Sequence, residues 1–357
     1  MRIGILTFHR AVNYGAVLQA WALQTFLQNC GYEAGLIDYR CKAIEDNYKL
    51  FSKHRINGKL LASFKYILSR LSHIKGILNR QRCFNEFITT KINLLNVQEV
   101  GNLDAIITGS DQVWNPFLTG GLDDFYFLNK ECFEKKIKIA YAVSGETKYI
   151  NASFVDKVTP LIEKIPHISV RESNLKDVLQ IPNAKVCIDP TFLLSFDEWK
   201  NVGRERIVDC DYVFLFEVVP SPLSKKIAKL LSQKLGIKVI FLNSGFKFLK
   251  RNSNLMVAVG PDEFVSLIRY SKYVVTTSFH GMALSMLLRK QFVIAPTEHM
   301  NRQSSLLKQV GLENRIIRSV NMLQHIDDIK YHDDMFVQLS IASKEFLKSS
   351  LEYDKTF

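Results

Sequence analysis

A lone histidine stands between a predicted core strand and a predicted helix in the segment TTSFHGMALS, residues 276–285. The residues YVVTT before it are typical of a buried strand, and MALSMLLRK after it favours a helix. Free backbone N–H groups and the positive end of the helix dipole meet at such a junction, which therefore binds anions. Two hypotheses remain open. Either His280 is a proton donor that acts beside a bound phosphate or carboxylate, or it is a packed residue that caps the helix with Ser278.

A second strand-to-helix junction contains Asn13, Tyr14 and Gly15. A glycine near the start of a helix lets the backbone approach a phosphate closely. The segment has no GxGxxG pattern, so it does not predict a dinucleotide site. It predicts either contact with a ligand or a plain tight turn.

Three further polar segments follow predicted strands. Asp111, in the loop GSDQ, is a candidate base or sugar ligand and also a candidate helix cap. Arg171 can bind a carboxylate or phosphate, or can pair with Glu172. The loop after QFVIAP contains several hydrogen-bond donors, which favours ligand binding over a solvated loop: His299, Asn301, Arg302, Gln303 and Ser304.

The elements that carry these residues alternate between strands and helices. The opening segment RIGILT, a helix that ends near Gly31 and the strand AGLIDY form a β-loop-α-β unit, which is typical of a parallel α/β sheet. Four later segments are predicted to be strands that run out into polar residues: 104–116, 138–146, 167–173 and 185–194. The carboxyl ends of parallel strands form the ligand crevice in such sheets.

The length and composition favour two globular domains. The chain has 357 residues, 47% hydrophobic, with a formal net charge of +12, so anionic partners are expected. Its six scattered cysteines contain no CxxC pair, which favours reduced thiols and predicts neither a zinc ribbon nor a disulfide framework. No apolar run reaches the roughly 18 residues of a spanning helix, and the first ten residues read as a strand rather than a signal peptide. We therefore expect a cytoplasmic protein.

One segment, Lys42–Arg82, concentrates the positive charge. It has ten Lys or Arg residues and two acidic residues, so it carries +8 of the net charge of +12. Its apolar residues recur at helical spacing, which predicts one or two basic amphipathic helices. We expect this segment to bind an anionic membrane surface or lipid-linked substrate rather than to be only a solvated face. Nucleic acid is not an expected partner, because no reading helix or stacking sheet is recognisable.

The predicted architecture is two Rossmann-like α/β domains that face a cleft. The first spans 1–200 and contains the basic helical insertion at about 42–82. The second spans 201–330 and is expected to bind the donor, and 331–357 forms a closing C-terminal helix.

Seven segments together resemble the polysaccharide pyruvyl transferase family, from residue 3 to about 317. They are NYGAVLQAWAL, ITGSDQVWNP, YAVSGE, ISVRES, CIDPTFLL, TTSFHGMALSMLLRKQF and NRQSSLLKQVGLENR. The resemblance implies a two-domain fold like that of GT-B glycosyltransferases. It also implies transfer of pyruvate, without a metal ion, from phosphoenolpyruvate to two hydroxyls of a sugar as a ketal. The acceptor would be a unit of an exopolysaccharide or capsule, or its lipid-linked precursor.

The family's signature histidine matches His280, and several members have a donor-binding arginine where this chain has Ser278. The resemblance then makes Arg171 or Arg302 the cation for the donor, His280 the acid and Asp111 a candidate base. Two other functions remain open. One is a glycosyltransferase that uses a nucleotide sugar, for which Glu217 and Glu263 are available. The other is a catalytically silent glycan-binding protein, which Ser278 favours.

Overall fold

The computed structural model describes residues 1–51, 60–243, 255–256, 258–298, 300–332 and 335–352. Every strand in it pairs in parallel with its neighbours. The strands are β1 Arg2–Leu6, β2 Glu33–Ile37, β3 Leu94–Leu95, β4 Ala105–Thr108, β5 Ile137–Val143, β6 His167–Val170, β7 Lys185–Val186, β8 Tyr212–Glu217, β9 Lys238–Asn243, β10 Leu255–Met256, β11 Tyr273–Thr276 and β12 Gln291–Ile294.

The α-helices of the described residues lie between these strands and after them. They are α1 Tyr14–Asn29, α2 Lys42–Tyr48, α3 Leu60–Ser72, α4 Ile74–Lys91, α5 Pro116–Thr119, α6 Ala152–Ile162, α7 Ser173–Val178, α8 Phe196–Val202, α9 Pro222–Leu235, α10 Pro261–Arg269, α11 Phe279–Leu287, α12 Asn301–Gln309 and α13 Val337–Glu352. Short 3-10 helices occupy several loops, including residues 147–149 and 190–193.

The contacts divide the chain into two units. The first unit comprises residues 1–49, 88–194 and 337–357. Its sheet has the strand order β3-β2-β1-β4-β5-β6-β7, which is the Rossmann order extended by one strand. The central strands are apolar on both faces, and β1 and β4 are buried almost throughout, as expected of a parallel sheet covered by helices on both sides.

The second unit comprises residues 50–87 and 195–336. Its sheet has the order β10-β9-β8-β11-β12, so it repeats the same Rossmann arrangement with five strands. The expected α/β fold class, with two Rossmann-like domains, is thus confirmed. In this division most of the basic segment groups with the second unit, and α13 groups with the first.

The predicted strand at 185–194 is wrong beyond its first two residues. Pairing ends at Val186, and a 3-10 helix spans Pro190–Leu193. The carboxylate of Asp189 accepts hydrogen bonds from the backbone N–H of Thr191 at 3.0 Å and from its hydroxyl at 2.8 Å. This cap turns the chain at the position where proline fixes φ for a helical first turn.

Candidate active site

The junction that carries His280 is built as a capped helix start in the second unit. Strand β11 ends at Thr276, and α11 begins at Phe279, so His280 lies in the first turn and is half-buried. The Ser278 side chain accepts a hydrogen bond from the backbone N–H of Gly281 at 3.2 Å. A Cβ at Gly281 would lie 2.6 Å from the Thr276 hydroxyl oxygen. Glycine is therefore required for the helix start to approach the strand this closely.

Position in the sheet places this junction where α/β proteins bind ligands. Strand β11 pairs with β8, while the neighbour of β8 on its other side is β9. Crossovers therefore leave β8 and β11 in opposite directions, and a crevice opens at their carboxyl ends. The hydroxyl of Thr277 accepts hydrogen bonds from the backbone N–H groups of Val218 at 3.1 Å and Val219 at 3.2 Å. These bonds fix the loop after β8 beside the start of α11.

The residues after β12 come close to the same helix start. The Arg302 guanidinium carbon lies 5.7 Å from the centre of the Phe279 ring, and that ring meets the His280 ring edge-on with centres 5.2 Å apart. Arg302, Gln303 and Ser304, which were expected in the loop after QFVIAP, lie in the first turn of α12, which begins at Asn301.

The side chain of Gln303 is buried, and its carbonyl oxygen has no hydrogen-bond partner within the described ranges. A buried amide acceptor of this kind suits a ligand donor or an ordered water. His299, which belongs to the same predicted loop, lies outside the described residues.

Asp111 follows β4 in the first unit. Its carboxylate accepts a hydrogen bond from the backbone N–H of Gln112 at 2.8 Å. Burial and, to a smaller extent, the negative charge of Asp111 raise the pKa of the Tyr48 phenol to about 12, against the lowering effect of a hydrogen bond with Asn13. Asp111, Tyr48 and Asn13 thus lie together, near the switch point between β1 and β4.

Asn13 also caps α1. Its side-chain oxygen accepts hydrogen bonds from the backbone N–H groups of Gly15 at 3.0 Å and Ala16 at 3.4 Å. Tyr14 and Gly15 are buried, whereas Asn13 is exposed. Among these three candidate ligands, Asn13 is therefore the one whose side chain is presented to solvent.

Arg171 is buried in an ion pair rather than presented at a surface. Its guanidinium donates to the Asp189 carboxylate at 2.6 Å and to the backbone carbonyl of Ser110. The expected partner Glu172 instead accepts a hydrogen bond from the Ser144 hydroxyl at 2.8 Å. This geometry makes Arg171 a support for the loop that carries Asp111, and its donor-binding role stays a prediction.

A charged cluster at the ends of β1 and β2 was not singled out from the sequence. The Arg10 guanidinium donates two hydrogen bonds of 2.7 Å to the Asp38 carboxylate. The buried His9 ring lies 3.1 Å from the same carboxylate. Hydrogen bonds from His9 and Arg10 hold the pKa of Asp38 well below its usual range. Both segments directly follow strands. Asp111 was selected because it is a polar residue at the end of a predicted strand, and this strand-end criterion would also have found the cluster.

The part of the chain that the structure describes contains no candidate metal site, since no three His, Cys, Asp or Glu side chains come together there. The same residues contain no helix that is long and apolar enough to cross a membrane.

The two Rossmann sheets, each with polar residues at its carboxyl edge, define a protein of the doubly wound α/β class. The chain belongs to the polysaccharide pyruvyl transferase family, because the sequence profile described as "Polysaccharide pyruvyl transferase" matches residues 13–299. It is therefore a transferase of a family that acts on polysaccharides.

Solved structures support the fold. A putative UDP-N-acetylglucosamine 2-epimerase from Listeria monocytogenes is similar at a TM-score of 0.51 and 10% identity, over 100% of this chain and 96% of that one. The UDP-GlcNAc 2-epimerase of Methanocaldococcus jannaschii (TM-score 0.49, 12% identity, 99% and 100% covered) scores too low to add to that conclusion. The same holds for the ADP-heptose LPS heptosyltransferase II of E. coli (TM-score 0.41, 11% identity, 100% and 100% covered). No curated protein matches the chain.

Proposed function

We propose that this protein transfers the pyruvyl group of phosphoenolpyruvate to two hydroxyls of a sugar in a surface polysaccharide or its lipid-linked precursor. The observation that carries the proposal is the position of His280, half-buried in the first turn of α11 at the switch point of the second sheet. Family membership supplies the reaction class, and this junction offers both a proton donor and an anion-binding helix start.

In the proposed reaction His280 donates a proton to the methylene carbon of phosphoenolpyruvate, so that the adjacent carbon becomes an oxocarbenium centre. One sugar hydroxyl adds to this carbon, phosphate leaves, and the second hydroxyl closes the ketal. Of the two hydroxyl protons, one replaces the proton that His280 gave, and the other leaves with phosphate. Asp111 is the candidate base for the hydroxyls.

The donor carries a carboxylate and a phosphate, so the reaction needs fixed positive charge. Ser278 provides none, and Arg171 is paired with Asp189. Arg302, held over Phe279 beside the His280 helix start, is therefore the candidate cation for the donor. Gln303, Ser304 and Gly281 supply amide, hydroxyl and backbone groups beside it. No metal takes part in this scheme, so a chelator should leave the rate unchanged.

The test begins with calorimetry of the purified protein with phosphoenolpyruvate and then with a panel of nucleotide sugars. We expect phosphoenolpyruvate alone to bind, and phosphate to be released when a saccharide acceptor is added. The His280→Ala variant should keep donor binding and lose phosphate release by roughly 10²- to 10⁴-fold. Release of a nucleoside diphosphate would identify a glycosyltransferase instead. Binding of saccharide with turnover of neither donor would identify a silent glycan-binding protein.

We further propose that the segment Lys42–Arg82 binds the anionic inner face of the cell membrane. In the described part of this segment, Phe64, Leu68 and Leu71 are exposed at successive turns of α3. Lys75 and Arg82 are also exposed. Apolar side chains flanked by cations suit an interface where acyl chains meet anionic headgroups.

A further inference from the structure

A stacked aromatic pair with one exposed ring lies in the first unit, at residues that have no role assigned so far. Phe117, on α5, is 64% exposed, and its ring stacks on that of Tyr149 with centres 4.4 Å apart and planes 10° apart. We call these two rings the aromatic platform. Single exposed apolar residues are common on proteins, but a large ring left open to solvent while stacked on a second ring is a preformed flat surface.

The loops that carry the two rings are fixed to each other. The backbone N–H of Ser144 donates to the carbonyl of Asp111 at 3.2 Å, and that of Trp114 donates to the carbonyl of Ser144 at 3.3 Å. A Cβ at Gly145 would lie 3.1 Å from the Trp114 carbonyl oxygen. This tight approach aligns the segment after β4 with the segment after β5 and therefore sets Phe117 against Tyr149.

Local capping orients the Phe117 ring. The Asn115 side chain accepts a hydrogen bond from the backbone N–H of Phe117 at 3.1 Å, and Pro116 starts the helix. On the partner ring, the Lys148 ammonium lies 4.8 Å from the centre of Tyr149. The platform is thus held in place before any ligand arrives, which reduces the entropic cost of binding.

Polar groups border the platform. The Asn115 amide donates to the Gln112 side chain at 2.6 Å, and Lys148 pairs with Glu146 at 3.4 Å. A pyranose ring has a face of C–H groups and an edge of hydroxyls, so it matches a flat aromatic surface surrounded by amide and charged groups. The family acts on polysaccharides, and Asp111 lies in the loop between β4 and α5, the helix that carries Phe117.

We propose that the aromatic platform binds a pyranose ring of the acceptor saccharide by stacking. This inference rests on the proposed function for its saccharide partner, but its test does not use the donor. The platform positions the acceptor in the first unit and selects sugars that present an unbroken C–H face.

The test is saturation-transfer NMR on the full chain without phosphoenolpyruvate, with the methyl β-pyranosides of glucose, galactose, mannose and N-acetylglucosamine. We expect at least one of the four sugars to bind, and in that sugar the ring C–H groups of one face should receive more saturation than the O-methyl group. Phe117→Leu should weaken that binding by roughly three- to tenfold, whereas Phe117→Trp should retain it. Leu230→Ala, at an exposed apolar residue of the second unit to which no role is assigned, is the control.

Equal binding by wild type and Phe117→Leu overturns the proposal, as does a wild type that binds none of the four sugars. Analytical ultracentrifugation gives a further test. If the wild type is a dimer and Phe117→Leu is a monomer, the proposal is overturned, because the platform would then face a second copy of the chain. Saccharide binding that depends on Phe117 in a protein that does not bind phosphoenolpyruvate would uphold the platform and reject the proposed donor.

Discussion

The guanidinium carbon of Arg302 lies 5.7 Å from the centre of the Phe279 ring, and Phe279 directly precedes His280 in the chain. More than twenty residues separate Arg302 from Phe279 in the sequence, and the fold brings them together because α11 and α12 follow adjacent strands of one sheet. Positive charge is therefore placed beside the helix start at which we propose that the donor binds.

Replacement of Arg302 by methionine should weaken phosphoenolpyruvate binding by about ten- to a hundredfold, because a charge-assisted hydrogen bond contributes about 1.5–3 kcal/mol. Calorimetry measures the change. Arg269→Met is the matched control, because Arg269 also stacks on an aromatic ring of the second unit, that of Tyr270 at 4.9 Å. Equal donor affinity in the wild type and the Arg302 variant would remove Arg302 from the site.

Replacement of Asp111 by asparagine keeps an oxygen that can accept from Gln112 but removes the negative charge. If Asp111 is the base, phosphate release with saturating acceptor should fall by roughly 10²- to 10⁴-fold while the KM for phosphoenolpyruvate changes little. Asp123→Asn is the control, since the Asp123 carboxylate likewise accepts from a nearby backbone N–H, in this case that of Phe125 at 3.0 Å. A variant with wild-type turnover would leave Asp111 as a turn residue alone.

Loss of the Arg171 guanidinium should destabilise the first unit. The ion pair with Asp189 is buried on both sides, so Arg171→Met leaves an uncompensated carboxylate and should cost about 3–5 kcal/mol in the free energy of unfolding. Urea denaturation measures this cost. The double variant Arg171→Met/Asp189→Leu should recover part of it. A single variant as stable as wild type would contradict a supporting role for this pair.

The Asp38 cluster predicts a specific pH dependence. Since hydrogen bonds from His9 and Arg10 lower the folded-state pKa of Asp38, its contribution to stability is complete above the ordinary value of about 3.9 and is lost as pH falls through the folded-state pKa. Asp38→Asn should therefore cost about 1.5 kcal/mol near pH 7, and the cost should shrink below about pH 4.

Urea denaturation of both proteins across this pH range tests the Asp38 prediction. The control is Asp211→Asn, which removes an exposed pair with Arg206 and should change stability by less than about 1 kcal/mol at any pH. A penalty for Asp38→Asn that stays constant, or grows, as the solution is acidified would disprove the assignment.

The basic segment predicts membrane binding that depends on charge. Changing Lys53, Lys59, Lys65 and Lys75 to glutamate should abolish co-sedimentation with vesicles of phosphatidylserine and phosphatidylcholine, because each basic residue near such a surface contributes about 1 kcal/mol. The midpoint temperature of thermal unfolding should change little in the same variant, which would show that the loss of vesicle binding does not come from loss of folding. High salt should reduce wild-type binding in the same assay. A wild type that never binds anionic vesicles refutes the proposed contact.

The sequence predicted the parallel strands well because buried apolar runs that end in polar residues have few alternative structures. It missed β3 and β10, which are two residues each, because a periodic pattern cannot develop over so short a length. It extended β7 too far, because CIDPTFLL is apolar enough for a strand, while the side-chain bonds that turn it into a 3-10 helix come from Asp189 itself.

The individual site residues were harder to place. The strand-end criterion selected Asp111, His280 and Arg302 as candidates, but it could not distinguish a presented side chain from one used inside the fold. Arg171 shows this limit: its partner Asp189 lies 18 positions away, and nothing in the local sequence indicates that pairing. The stacking of Phe117 on Tyr149 depends on two loops that come together in space, so it has no local signal either.

The grouping of α13 with the first unit affects how the protein is made. The hydroxyl of Ser343, on α13, accepts a hydrogen bond from the backbone N–H of Ile188 at 2.9 Å, and Leu347 and Leu351 are buried. During synthesis, residues 195–336 leave the ribosome before these contacts can form. The second unit thus has the opportunity to fold while the first still lacks α13, so the unit whose strands are made first is the last to be completed.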